Sequence, residues 1–452
     1  MRAINPTTGA TLREYAEHEP DEIDRRLGRA VLGFEAWRCT ALVERAARLR
    51  AAADVLRRDR DSLARLMTLE MGKPIAQAES EVDKCAWVCE HFAEHGAADL
   101  APEVIATDGS RSLVRFDPLG VVLAVMPWNF PLWQVFRAAV PTLMAGNVVV
   151  LKHASNVPGS ALAAERVFAH AGLPTGAFTT LLVSASVAEA LIDRDEIRAV
   201  TLTGSEAAGM SLAARAGRAL KKTVLELGGS DPFIVLADAD PERTAAAAVA
   251  ARVINNGQSC IAAKRFIVEA PVAERFARAL ADGMARLRVG DPLERDTELG
   301  PLARADLLDA LDQQVRRSLD RGAVLLTGGA RLDRTGFFYA PTVLDQVTPG
   351  MAAFDEETFG PVAAVTRARD ADHAVELANR STFGLGASVW TADAARGEAL
   401  AATIEAGSVF VNGAVKSDPR LPFGGIKRSG YGRELSAFGI REFVNVKTVW
   451  VR

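Results

Sequence analysis

Val121-Val122-Leu123-Ala124-Val125-Met126 is an unbroken apolar run, entered through Pro118-Leu119-Gly120 and closed by Pro127-Trp128-Asn129-Phe130-Pro131. Six apolar residues without polar alternation read as a strand buried on both faces. Downstream, strands and helices alternate. Val148-Val149-Val150-Leu151 reads as a strand and 159–171 as a helix; 179–183 and 187–194 repeat the pair, as do 199–203 and 205–219. Such alternation predicts a parallel sheet with helices on both faces. A second set has strands at 224–226, 233–236, 266–268, 324–326, 362–365, 387–390 and 409–411, with a helix over 241–255. The fold class is α/β with two such units.

Upstream, residues 21–100 read as helical, because apolar residues recur at three- and four-residue spacing, as in Leu49, Ala53 and Leu56. Gly72-Lys73-Pro74 interrupts this stretch, since proline does not continue a helix interior. Ser112 to Phe116 and Phe443 to Trp450 alternate as strands do. An exposed strand edge invites another chain, so a homodimer or homotetramer is expected. No low-complexity segment, flexible linker or internal repeat stands out.

The 452 residues are 49% apolar, enough for a large core, and roughly 150 residues per domain predicts about three domains. Net charge is −4 with Lys and Arg dispersed, which argues against nucleic acid as a partner. No apolar run approaches the roughly 20 residues of a membrane span. Met1 to Pro6 carries no apolar h-region, so no secretory signal is expected. The four cysteines, Cys39, Cys85, Cys89 and Cys260, are too sparse for a disulfide framework and suit a reducing, cytoplasmic setting. Cys85 and Cys89 share a helical face near His91 and His95. Their spacing fits an apolar stripe better than a zinc site, and no metal is expected.

Asn255-Asn256-Gly257-Gln258-Ser259-Cys260 places one thiol in a Gly-containing turn, 34 residues after Glu226. A thiol nucleophile needs exposure to substrate and a second group that takes a proton from it or from water. Most cysteines are inert and buried, so the pairing alone is weak. No G-x-G-x-x-G follows any strand. Thr203-Gly204-Ser205 does sit at a strand–helix junction, where Ser205 could cap the helix or donate to a phosphate. Lys152 closes the strand 148–151, a favourable place for a ligand contact.

These motifs, together with Glu356-Glu357-Thr358-Phe359-Gly360-Pro361, occur in an order and spacing that resembles the aldehyde dehydrogenase superfamily. The likeness spans Asn5 to Trp450 and is greatest to the bacterial succinate-semialdehyde dehydrogenases. It implies a Rossmann-like cofactor-binding domain over 1–99, 118–227 and 424–439. It also implies a catalytic domain over 228–423 and a small β oligomerisation arm over 100–117 and 440–452. By the same resemblance Cys260 is the nucleophile, Glu226 the general base and Asn129, with the Cys260 N–H, the oxyanion donor. Trp128, Lys152, Ser155, Gly204, Ser205, Leu227, Glu357 and Phe359 then bind the cofactor. Ser155 stands where many NAD-selective members carry a glutamate, so NADP is expected to be accepted alongside NAD. His153 departs from a commoner proline.

The implied reaction oxidises an aldehyde to an acid through a thiohemiacetal and a thioester on Cys260. A retained Glu226 favours hydrolysis over transfer to coenzyme A. Arg137, eight residues past Asn129, matches an arginine that binds the distal carboxylate of succinate semialdehyde in related enzymes. Some members have a second arginine six residues before the nucleophile; here it is Ile254. Ser417 and Arg420 are the candidates to compensate. Ala262 excludes a disulfide partner two residues after Cys260. The competing expectations are an enzyme for glutarate semialdehyde or an uncharged aldehyde, and a non-catalytic binding protein on the same fold.

Overall fold

The computed structural model describes residues 1–452. The helical stretch folds as Pro20–Trp37, Leu42–Arg58, Arg60–Met71 and Ile75–Asp99. Gly72 ends the third helix in the left-handed region, at φ +80°, with its N–H on the Thr68 carbonyl. A side chain there would come within 2.9 Å of the Pro301 carbonyl, so both conformation and space require glycine.

The helices pack on a six-stranded sheet. Its order is Gly430–Tyr431, Lys222–Glu226, Ile197–Thr203, Val121–Met126, Val148–His153, Phe178–Leu181. All neighbours are parallel except the first pair. The opening strand Val121–Met126 lies inside the sheet, with later strands laid down on either side. The order therefore reverses between Val121–Met126 and Ile197–Thr203. A crevice outside the carboxyl ends of strands at such a reversal is where open α/β sheets bind ligands. Trp128 and Asn129 leave one of these two ends, and Gly204 and Ser205 leave the other.

The second sheet has seven strands, ordered Val324–Thr327, Thr342–Asp345, Val362–Ala368, Arg265–Glu269, Pro232–Val235, Gly386–Trp390, Ser408–Val411. Alternate residues serve opposite faces. Ile234, Ile267 and Ala364 join one core; Phe233, Phe266 and Val365 join the other. That is the two-faced burial expected of parallel strands. One correction applies to 324–326, which does not continue the parallel alternation. It pairs antiparallel at the sheet edge, and Val324, Leu325 and Leu326 are exposed. Thr342–Asp345, fully buried between strands, escaped the sequence reading because four residues carry too little periodicity.

Val444–Val451 pairs antiparallel along the whole of Arg111–Pro118, with Glu103–Val104 beyond it. The far edge of Val444–Val451 is unpaired, and Val446, Trp450 and Val451 are exposed on this ribbon. No helix is long and apolar enough to cross a membrane. Cys85 and Cys89 are buried in the core stripe of Ile75–Asp99, where burial raises both thiols. No group of three or more His, Cys, Asp or Glu side chains is arranged to hold a metal ion.

Candidate active site

The turn that leads to Cys260 is a local backbone distortion held from outside. The helix Pro241–Val253 gives way to Asn255 at φ +53°, Asn256 at +58° and Gly257 at +75°, three successive left-handed residues. Asparagine tolerates this conformation better than most residues. Here both asparagine side-chain amides also donate to carbonyls around the turn. Asn255 Nδ2 donates to the Asn129 carbonyl (2.6 Å) and the Gln258 carbonyl (2.9 Å). Asn256 donates to the Gly72 and Pro301 carbonyls and accepts from the Gly300 N–H. Any side chain at Gly257 would collide with the Gly360 backbone, which brings the Glu356–Pro361 segment against the turn.

Lys264, fully buried, completes the clamp. Its ammonium donates to the carbonyls of Ser259 (3.0 Å), Cys260 (2.8 Å) and Ala262 (3.2 Å), and stands 3.6 Å from Glu357. Sequence reasoning missed this residue; a lysine four positions after the thiol is its only local signal. Cys260 is half-buried. Desolvation pushes its thiol up to about 12, while the Arg137 and Lys264 cations pull the other way. The resting group is a thiol, so attack requires that its proton be removed.

Asn129 lies against this turn. Its Nδ2 donates one proton to the Gln258 carbonyl (3.0 Å), and its Oδ1 accepts from Gln134 Nε2 (3.1 Å). The second amide proton has no protein acceptor and can serve an oxyanion. His153 explains itself here. Its Nε2 donates to the Pro131 carbonyl (2.8 Å) and its Nδ1 accepts from the Ala154 N–H (2.9 Å), so it pins the loop that carries Asn129. Burial lowers its pKa to about 4, so the ring is neutral.

Glu226 is fully buried, and neither carboxyl oxygen has a hydrogen-bond partner. Desolvation, then the nearby Glu434 carboxylate, hold its pKa well above the carboxylate range. One oxygen abuts Gly424, where a Cβ would come within 2.7 Å. Glu226 does not line the cleft that reaches Cys260.

The cofactor candidates gather at the strand-order reversal. The Gly204 N–H is spent on the Glu226 carbonyl (3.0 Å). The space beside its Cα is nonetheless open, with only Leu202 within 4 Å. Ser205 caps the helix Glu206–Arg218 by accepting from the Ala208 N–H (3.4 Å), which leaves its own proton free. Gly209 lets Leu227 approach; a Cβ there would be 2.6 Å from the Leu227 side chain. Lys152 is half-buried, makes no ion pair and has its pKa lowered by burial, as a cation held ready for a ligand does. Ser155, three residues further on, is exposed. Trp128 and Phe359 meet edge to face, 5.8 Å between centroids. Glu357 accepts from the Gly229 N–H (3.1 Å). An unpartnered lysine, a free hydroxyl and open space at a glycine fit a dinucleotide.

A cleft of about 780 Å³ reaches Cys260, lined by Arg137, Ser417, Trp133 and Ile254 among others. Arg137 is buried in its wall, on the helix Trp133–Met144. Its Nε pairs with Glu434 and its Nη2 donates to Thr203 Oγ1 (3.4 Å), while the guanidinium lies over the Phe423 ring. Arg420 is a correction. It does not line the cleft; Asp418 holds it bidentately on the surface. Lys84, which sequence reasoning passed over, does line the cleft and donates to Ser417 Oγ (2.7 Å).

A sequence model described as the aldehyde dehydrogenase family matches residues 1–449. The chain is 53% identical to a probable succinate-semialdehyde dehydrogenase (NADP+) of Synechocystis sp., over 100% of this chain and 99% of that protein. It is 50% identical to the succinate semialdehyde dehydrogenase (NAD(P)+) Sad of Escherichia coli, over 99% and 97%. Among solved structures, the succinic semialdehyde dehydrogenase of Streptococcus pyogenes in complex with NADP+ superposes with a TM-score of 0.97. That match has 38% identity and covers 100% of this chain and 99% of the other.

Proposed function

This chain belongs to the aldehyde dehydrogenase family, and from that premise we propose that it oxidises succinate semialdehyde to succinate with NADP or NAD. The observation that carries the reading is one cleft holding the Cys260 thiol together with Arg137 and Ser417. In this reading the Cys260 thiol gives up its proton to solvent as Sγ bonds to the aldehyde carbon. The carbonyl oxygen takes up charge against the free Asn129 amide proton and the Cys260 N–H. A nicotinamide cofactor, when bound, would supply the hydride acceptor, leaving a thioester on Cys260. Glu226, after its side chain turns toward the cleft, takes a proton from water as that water attacks the thioester carbon. The C–S bond breaks, the acid leaves and the thiol returns.

Lys152, Ser155, Gly204, Ser205, Trp128, Leu227, Glu357 and Phe359 would hold the cofactor. An exposed serine three residues after an unpaired lysine, with no carboxylate between them, supports acceptance of a 2′-phosphate. The reading extends to a homodimer or homotetramer joined through the unpaired edge of Val444–Val451, in a reducing cytoplasm that keeps Cys260 a thiol. Ile254, apolar and exposed in the cleft, favours a second reading, an uncharged aldehyde.

Initial rates with succinate semialdehyde and with butanal, each with NAD and NADP, decide between them. A charge-assisted contact of about 1.5–3 kcal/mol predicts a preference of about ten- to a hundredfold in kcat/KM for the semialdehyde. Equal rates would leave only a general aldehyde dehydrogenase.

A further inference from the structure

Four cations line the cleft: Lys84, Arg137, Arg295 and Lys416. Arg137 is paired with buried Glu434, and Arg295 with Glu79 (2.7 Å). Lys416 is exposed. Lys84 alone is half-buried and in no ion pair. Its ammonium donates to Ser417 Oγ (2.7 Å) and lies 4.4 Å from the centroid of the Trp133 ring. An ammonium has three donors, so two such contacts leave one for the cleft. We propose that Lys84, braced by Ser417 and Trp133, is the principal anchor for the distal carboxylate of the substrate and sets the preference for an aldehyde bearing an acid group. The proposal rests on the semialdehyde reading above and names the residue that selects it.

The scaffold supports a fixed anchor. Lys84 lies one turn beyond Glu81 on the helix Ile75–Asp99, and Glu81 accepts from the N–H groups of Leu132 and Trp133 (2.9 Å each). The helix carrying Lys84 is thereby tied to the start of the helix that carries Trp133 and Arg137. The charges around Lys84 are also accounted for. Burial first, then the Arg137 cation, lower its pKa to about 8, against weaker support from Cys85, Glu81 and Asp418. Asp418 is itself engaged with Arg420 (2.7 Å), and Glu81 with Lys73. A carboxylate arriving in the cleft restores what burial removes. Arg137 gains less from it, since its charge is already met.

The test reads the ratio of kcat/KM for succinate semialdehyde to that for butanal in wild type, Lys84→Met and Lys84→Arg. The ratio should fall at least about tenfold in Lys84→Met, through KM, and return to within about threefold in Lys84→Arg. Competitive inhibition of butanal oxidation by succinate, measured on wild type alone, should weaken as pH rises from 7 to 9 and the ammonium loses its proton. It needs no variant to fold. A ratio that survives Lys84→Met, or succinate inhibition that stays flat across that range, overturns the assignment. A wild-type ratio near one refutes instead the semialdehyde reading beneath it.

Discussion

Replacing Glu226 with Gln should separate the two halves of the reaction. The carboxyl is enclosed, without a hydrogen-bond partner, and raised in pKa by desolvation and by Glu434. Glutamine keeps its shape and removes its basicity. A positioned general base contributes about 10²–10⁴ in rate, or about 2.7–5.4 kcal/mol of barrier at 1.36 kcal/mol per decade. Rapid mixing with substrate and cofactor should show one equivalent of reduced cofactor formed at close to the wild-type rate. A steady rate lower by that factor should follow as the thioester accumulates. Stability gives an independent reading. A carboxyl whose pKa is raised by folding holds its proton where the unfolded chain has lost it. Wild-type stability therefore declines as pH rises above the ordinary carboxylate value near 4.5, by at most about 1.4 kcal/mol per pH unit. The variant has no such titration, so its Tm relative to wild type should climb between pH 5 and 8. Unchanged turnover refutes the base assignment. Loss of the burst together with turnover moves Glu226 to the step before the thioester, and a pH-independent Tm difference refutes the raised pKa.

Three further outcomes follow from the same geometry. Ser155→Glu puts a carboxylate three residues after Lys152 and should lower kcat/KM for NADP about tenfold or more while changing NAD less than threefold; paired initial rates with the two cofactors check it. His153 has a depressed pKa, about 4 against 6.5, so wild type should lose about 3 kcal/mol of stability as pH falls from 6.5 to 4. His153→Gln, which cannot titrate, should lack that loss in melting curves over the same range. Arg420→Ala should leave kcat/KM for succinate semialdehyde within about twofold of wild type, because its guanidinium faces solvent on Asp418; a larger fall would return it to the substrate site.

Much of the architecture is legible from local pattern. The run Val121 to Met126 and the strands after it are apolar on both faces, and in the structure both faces are covered. The failures have the same physical origin as the successes. Val324 to Leu326 is apolar, but strand direction depends on the partner it meets, and its partner is the antiparallel neighbour Thr342–Asp345. Arg420 has the right charge near the right motif, yet Asp418, two residues away, holds it on the surface.

By itself the sequence determined the α/β class and the positions of most strands and helices, and it singled out Cys260, Glu226 and Asn129 as candidates. These follow from periodicity and turn chemistry acting over a few residues, and from motifs whose spacing resembles a known family. Only the tertiary structure decided how those groups are charged and held. Asn255 and Asn256 are held left-handed because carbonyls from Gly72, Asn129 and Pro301 meet their side-chain amides. Arg137 pairs with Glu434, brought to it from near the other end of the chain, while Lys84 is half-buried beside Ser417 and in no ion pair. Charge state in a cleft depends on which distant groups come within hydrogen-bonding reach and lose their water, and local sequence carries no term for that.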